Sequence, residues 1–298
     1  MIELRKLRMS DRDAVNEILG ESDYRGCEYS FANNLAWRRK AHSRVCLWGG
    51  FYICAATEPI ISYVFPAGKP KTTGGYKTVI DEMKRYSEFH NQTLKISGVT
   101  AEQLPLFEEF YPGAYDIEVF TGDFDYIYKS EDFIGLPGKR YHAKRNHIAQ
   151  FERAYNWEFS EITENDFDDC IEFAAVSYND SGDYLDEGKI FEQYAINCFF
   201  THFTSLGLTG GILRVDGKIA AFSIGERLNS DTLDVHIEKA DTDFKGAYTA
   251  IANKYAALAA KNLKFINREE DLGIPGLRKS KQSYLPCFQI EKHTIVFK

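Results

Sequence analysis

The order of strand-like and helix-like stretches runs through this chain twice, and that recurrence constrains the fold more than any single motif. The first pass opens with a strand at IELRKLRM and a helix that Asp11 can cap, with Val15, Ile18 and Leu19 on one face. A second helix at SFANNLAWRRK follows, then three β-branched and aromatic runs, RVCLW, GFYICAA and IISYVFPAG. The turn KTTGGY leads into the helix TVIDEMKRYSEFH, the strand LKISGV, the helix AEQLPLFEEFY and the strands YDIEVF and DYIYKS. After a basic helix the second pass gives the strand WEFSEI, the helices TENDFDDCIEFAAVSY and EGKIFEQYAINCFFTHFTSL, and the antiparallel strands GGILRVDGKIAAFSIGERL and TLDVHIEKAD. The helix YTAIANKYAALAAKN, the strand KFIN and a terminal strand in FQIEKHTIVFK complete it. A chain of 298 residues exceeds the usual single domain. The expectation is therefore two α/β domains of α+β type with mixed, largely antiparallel sheets, 1–135 and 136–298, divided at the Gly- and Pro-punctuated SEDFIGLPGK.

Charge and cysteine usage narrow the function classes. A net charge of −8 argues against a surface coated with phosphate-binding residues. It leaves room for a local patch such as PGKRYHAKRNHIAQF, where Lys139, Arg140, Lys144 and Arg145 lie close to His142 and His147. The six cysteines show no CxxC spacing and no neighbouring His at metal-ligand distance, so reduced thiols, a cytoplasmic location and no metal are expected. Neither a signal-peptide core nor 18 uninterrupted apolar residues occurs in the sequence, so no transmembrane segment is expected.

The chemistry is expected in the second half. In TLDVHIEKAD, period-2 alternation places Leu233, Val235 and Ile237 on one face and Asp234, His236 and Glu238 on the other. Three ionisable groups on one strand face require water or partners. An edge strand with a solvated face is one reading and a site is the other. The strand feeds the Lys245-Gly246-Ala247 turn, and amides at such a helix start suit a carboxylate or phosphate. Glu238 is the preferred base, with His236 second. Strand KFIN follows after one helix, as in a βαβ crossover, so it should lie beside TLDVHIEKAD with the strand ends together. Arg268, Glu269 and Asp271 would then emerge beside Glu238 and Lys239. Pro275 opens a further helix carrying Arg278, Lys279 and Lys281. A loop stitched by surface ion pairs is the competing reading of this crowded stretch.

The strand order resembles the GNAT acyltransferase fold, present twice. The blocks GKRYHAKRNHIAQF, EQYAI, GGILRVDGKIAAFSIGE, HIEKAD, KGAY and NREEDLGIPGLRKSKQSYLP look like soluble bacterial proteins related to the C-terminal domain of phosphatidylglycerol lysyltransferase. The likeness spans residues 130 to 298 and reaches the first half through SFANNLAWR. In the membrane-bound members this tandem domain moves an aminoacyl group from aminoacyl-tRNA to a lipid headgroup. The present sequence shows no transmembrane portion and has NREEDLG where those enzymes carry an Asn-Leu-Gly-Met-type segment. Its Lys281-x-x-Tyr284-x-Pro286 end is similar to their donor-site segment. Acetyl-CoA-dependent members of the fold grip pyrophosphate with an Arg/Gln-x-x-Gly-x-Gly/Ala loop. Here Asp243 to Tyr248, and Lys71 to Tyr76 in the first half, depart from that pattern.

The resemblance implies an enzyme, a transferase that takes an aminoacyl group from aminoacyl-tRNA to an amine or hydroxyl of a small-molecule or lipid-headgroup acceptor. The residues Glu238, Arg268, Glu269, Asp271 and Lys281 are expected to be catalytic. His236, Lys239, Lys245, Gly246, Arg278, Lys279 and Tyr284 are expected to bind substrate, and Lys139, Arg140, Lys144 and Arg145 to contact tRNA. An acyl-CoA-dependent N-acyltransferase, and a non-catalytic binding protein on the doubled scaffold, are the alternatives. No cofactor is expected beyond the aminoacyl-tRNA or acyl-CoA co-substrate.

Overall fold

A computed structural model of the chain describes residues 2–40, 42–179 and 187–298. In chain order it begins with α1 (Arg12–Ser22), α2 (Phe31–Ala36), β1 (Arg44–Trp48), β2 (Phe51–Ala56), β3 (Ser62–Val64), α3 (Gly74–Phe89), β4 (Lys95–Val99), α4 (Leu104–Phe110) and β5 (Tyr115–Val119). Next come β6 (Asp125–Lys129), α5 (Ser130–Gly135), α6 (His142–Ala154), β7 (Trp157–Glu161), α7 (Phe167–Asn179), α8 (Glu187–Thr201), α9 (Phe203–Leu206), β8 (Thr209–Val215) and β9 (Lys218–Arg227). The chain closes with β10 (Thr232–Ala240), α10 (Ala247–Ala259), β11 (Phe265–Asn267), α11 (Pro275–Gln282), β12 (Phe288–Ile290) and β13 (His293–Phe297).

These elements form two compact units, and they do not follow a single cut at 135/136. The first unit takes Met1–Asp125, Glu270–Leu277 and Gln289–Lys298, and the second takes Tyr126–Glu269 and Arg278–Phe288. The run FQIEKHTIVFK, read as one strand, is broken at Glu291-Lys292. Its first part is a strand of the seven-stranded sheet and its second, β13, inserts between β4 and β5 of the six-stranded one.

In the first unit the sheet order is β1-β2-β3-β4-β13-β5. Among the described residues its parallel pairing is β3 with β4, matching Tyr63 to Ile96 and Val64 to Ser97. Helix α3 sinks Val79, Ile80 and Met83, spaced as one helical stripe, into a core with Ile53, Tyr63, Ile96, Phe107 and Ile295. The expected first strand is reduced to one bridge, Arg5 to Val45. Asp11 does not cap α1 with its side chain. It accepts from the Arg8 N–H at 2.9 Å and pairs with Arg5 at 2.7 Å, closing the preceding short turn instead.

In the second unit the order is β12-β6-β11-β10-β9-β8-β7. One face carries α6 and α10, where the small residues Ala247 and Ala250 let the α10 backbone come close to Ala220, Ala221 and Ala240. The opposite face carries α7 and α8, where Phe222 meets Phe173 and Phe200. The expected crossover is present: β10 and β11 are parallel, matching Thr232 to Phe265, Leu233 to Ile266 and Asp234 to Asn267. Past Asn267 β11 stops, while β10 continues through Val235–Ala240 held by β9.

Candidate functional site

The parting of β10 from β11 leaves β10 without a neighbouring strand on that one side, the place where open α/β sheets receive ligands. A β-bulge lies at this point: Val235 faces Gly225 and Ile237 faces Ile224, so His236 is the inserted residue. The bulge breaks the expected alternation. Leu233 and Val235 pack toward Ala252 and Tyr255 on the α10 face, and His236 stacks on Phe199 of α8 at 5.1 Å and 7° on the other. Beyond the bulge the parity is reversed, so that Ala240 faces α10 and Glu238 reaches the α10 face with it. Asp234 and Glu238, expected together, are thus separated by the sheet.

On the α10 face Glu238 Oε1 accepts from Arg268 Nη2 at 2.7 Å, and both side chains are nearly buried. The guanidinium carbon lies 4.9 Å from the Tyr284 ring and 5.5 Å from Phe133, which are themselves stacked at 4.8 Å. Lys144 of α6 comes to the same ring, with Nζ at 3.5 Å, and donates to the Ser283 hydroxyl at 2.7 Å. Burial, and then the Arg268 charge, bring the Lys144 ammonium down to about 8, with Glu238 acting in the opposite direction. Lys281 donates from Nζ to the Arg268 carbonyl, and Tyr128 donates to the Lys281 carbonyl at 2.7 Å. The arrangement therefore joins Glu238, Arg268, Lys281 and Tyr284, all named from the sequence. It adds Lys144, Phe133 and Tyr128.

On the α8 face His236 is enclosed by carboxylates. Nδ1 lies 3.0 Å from Glu269 Oε1 and 3.7 Å from Asp234 Oδ2, and Nε2 lies 3.3 Å from Glu226 Oε1. Burial by itself would lower the imidazole, but the hydrogen bonds to Glu226 and Glu269 and the Asp234 charge outweigh it and hold the ring well above its usual value. With an acceptor at each nitrogen the ring is an imidazolium, a donor at both positions and no base. Glu269 thus lies with His236, on the face opposite Glu238.

The first unit has a second charged cluster that no motif indicated. Lys292 Nζ lies 2.7 Å from Asp125, 2.8 Å from Glu28, 3.0 Å from Glu270 and 3.7 Å from the Cys27 sulfur. Glu28 packs against Gly98, just past the last β3–β4 pair, where any Cβ would come within 2.7 Å of its carboxylate. Both clusters have the donor composition of a cation site. In each, the chain supplies the cation itself, as ammonium or imidazolium.

Burial pushes Glu28 up to about 7 against the pull of Lys292. An unfolded carboxylate titrates near ~4.3, so between the two values the folded chain binds the extra proton and stability falls as pH rises. The wild type should lose about 2 kcal/mol relative to Glu28→Gln between pH 5 and 8. Urea unfolding of both across that range checks it, and parallel curves would remove Glu28 as the titrating group.

The remaining sequence-named residues are dispersed. Asp271 belongs to the first unit, where it accepts from the Gly273 N–H at 2.8 Å and closes a turn. Lys239 pairs with Glu192 of α8 at 2.8 Å. Lys279 is exposed on α11, and Arg278 is partly buried. The glycine at 246 is required by α6: its φ is +93°, and a Cβ would lie 2.4 Å from the His147 carbonyl oxygen. The Lys245 N–H donates to the Tyr155 hydroxyl at 3.1 Å and the Ala247 N–H to the Phe244 carbonyl at 3.0 Å. Of the basic helix, Lys139 and Arg140 are exposed, while Arg145 donates to the carbonyls of Leu136 and Gly138.

Two units, each with a mixed sheet whose parallel strands part beside buried charges, give the tandem GNAT fold, shared at 12% identity and a TM-score of 0.53 with a tandem GNAT protein from the clavulanic acid biosynthesis pathway. The chain belongs to the family described as phosphatidylglycerol lysyltransferase, C-terminal, whose model matches residues 20–295. A conserved protein of unknown function from Bacteroides thetaiotaomicron is 33% identical, with a TM-score of 0.94 and full coverage of both chains. L-PGS from Bacillus licheniformis shares the fold at 14% identity, with a TM-score of 0.65 over 97% of this chain and 92% of that one. An uncharacterized protein of Mycoplasmoides gallisepticum is 26% identical over 211 residues, which are 68% of this chain. The chain spans 65% of the length of that curated relative. Among the described residues no helix is long and apolar enough to cross a membrane.

Proposed function

We propose that the chain transfers an aminoacyl group from aminoacyl-tRNA to an amine or hydroxyl acceptor, the reaction taking place in the second unit where β10 and β11 part. The observation that carries this reading is the Glu238–Arg268 pair, a carboxylate and a guanidinium 2.7 Å apart just beyond the last parallel strand pair. The acceptor nitrogen or oxygen attacks the ester carbonyl carbon while its proton passes to Glu238. Arg268 donates to the carbonyl oxygen as that atom gains charge. The ester C–O bond then breaks, and the ribose oxygen leaves with the proton returned from Glu238. The family description and the name of L-PGS support aminoacyl transfer, and a lipid headgroup as acceptor rests on them alone.

The acyl-CoA reading is disfavoured by the amides at the start of α10. A pyrophosphate grip needs free N–H groups there, and those of Lys245 and Ala247 are already donated within the chain.

The test is release of label from radiolabelled aminoacyl-tRNA in the presence of amine and hydroxyl acceptors. Glu238→Gln should lower the rate by about 10²-fold with the melting temperature little changed. Undiminished turnover in both Glu238→Gln and Arg268→Lys would overturn the assignment.

A further inference from the structure

We propose that Arg268 and Lys144 together form a subsite for a phosphate group on the α10 face of the second unit. The charges there do not cancel. Glu238 neutralises one cation, at 2.7 Å from Arg268 Nη2, while Arg268 and Lys144 bring two positive groups to the same Tyr284 ring, at 4.9 and 3.5 Å.

The second observation is independent of this count. The Arg268 side chain is only 10% exposed, and its Nη1 is buried without a hydrogen-bond acceptor among the described residues. A buried guanidinium donor left unmatched is costly, and a ligand oxygen removes that cost. Lys144, by contrast, is half-buried and donates to the exposed Ser283 hydroxyl, so the second cation of the pair lies nearer the surface than the guanidinium. A planar fork and a point charge acting together suit an oxyanion with three or more oxygens, the geometry of a phosphate ester.

Lys144 faces Arg268, Glu238, Tyr284 and Ser283, and the depression of its ammonium to about 8 follows from burial and from the neighbouring guanidinium. An anion bound between the two cations reverses part of that depression. The inference goes beyond the transfer reading, because it holds whether the phosphate belongs to the donor or to the acceptor.

The experiment titrates the full chain at pH 7 and constant ionic strength with inorganic phosphate, adenosine 5′-monophosphate, glycerol 3-phosphate and acetate. Calorimetry gives the affinities, and NMR of ¹³Cε-labelled lysine follows Lys144. The phosphate compounds should bind, raise the Lys144 midpoint by about one unit, and lose at least about tenfold in affinity in Lys144→Gln. Lys218→Gln, at an exposed position at the start of β9, should bind as the wild type does. Tighter binding of the nucleotide assigns the phosphate to a nucleotide end, and tighter binding of glycerol 3-phosphate assigns it to a headgroup. Acetate binding as well as phosphate, unchanged affinity in Lys144→Gln, or a stationary Lys144 midpoint would each overturn the subsite. Phosphate binding without any release of label from aminoacyl-tRNA would retire the transfer reading and leave the subsite standing.

Discussion

Lys292→Met should lower the melting temperature of the first unit by on the order of 10 °C at pH 8. Lys292 is buried, and its ammonium stands between Glu28, Asp125 and Glu270 at 2.7 to 3.0 Å. Burial alone would lower its pKa, but Asp125, Cys27, Glu270 and Glu28 together hold it well above the usual lysine value, so the group is charged throughout the accessible range. Replacing it with an apolar side chain of similar length retains most of the packing and removes the ammonium that contacts all three carboxylates. Breaking a buried ion pair from one side typically costs about 3–5 kcal/mol, because the remaining charge is left unmatched. Three carboxylates without a cation bind protons more readily, so the deficit should shrink as pH falls. Calorimetry of the wild type and variant at pH 8 and 5.5 tests both parts. A loss under about 3 °C at pH 8 would show that water, not Lys292, screens these acids.

This cluster explains why the stretch from Arg268 to Asp271 was hard to interpret. Its crowded charges were visible in the sequence, and so was the crossover that brings KFIN beside TLDVHIEKAD. What the sequence did not show is that four consecutive residues have four different partners. Arg268 reaches Glu238, Glu269 reaches His236, Glu270 reaches Lys292, and Asp271 closes a turn at Gly273. Glu269 and Leu272 adopt φ values of 56° and 53°, a left-handed conformation that redirects the chain between these partners. Period-2 reading failed at His236 for a related reason: one inserted residue reverses every face after it, and nothing in its side chain marks a bulge. Lys292 stayed hidden because FQIEKHTIVFK alternates well enough to pass for one strand, when the break at Glu291-Lys292 divides it between two sheets.

Lys144 was more legible than its place among the expected tRNA contacts allowed. It stands four residues before Ile148 and seven before Phe151, the residue of α6 with no exposure, and this spacing puts it on the inward stripe. In PGKRYHAKRNHIAQF the clustered like charges mask that periodicity. Lys139 and Arg140, which precede α6, are exposed.

His236→Gln should produce the second large loss, this time in the second unit, and with a different pH signature from that of Lys292→Met. The imidazolium is a cation in contact with Glu226, Asp234 and Glu269, so its removal takes a positive partner from three acids and should lower the melting temperature by about 8 to 12 °C near pH 7. The folded ring is held well above its usual value, whereas in the unfolded chain it titrates near ~6.5. Its contribution is therefore fully present below about pH 6.5 and is lost as pH rises through the folded value. At low pH the variant's acids take up protons and recover stability as well. The difference between wild type and variant should then pass through a maximum near neutrality and decline on both sides. Lysine keeps its proton well past pH 8, so the Lys292→Met deficit should have no alkaline decline over the same range. Melting curves of both variants at pH 5, 7 and 9 separate the two cases. A His236→Gln deficit that is flat with pH would mean that the ring is neutral and that a proton on one of the three carboxylates, rather than on the imidazole, holds the cluster together.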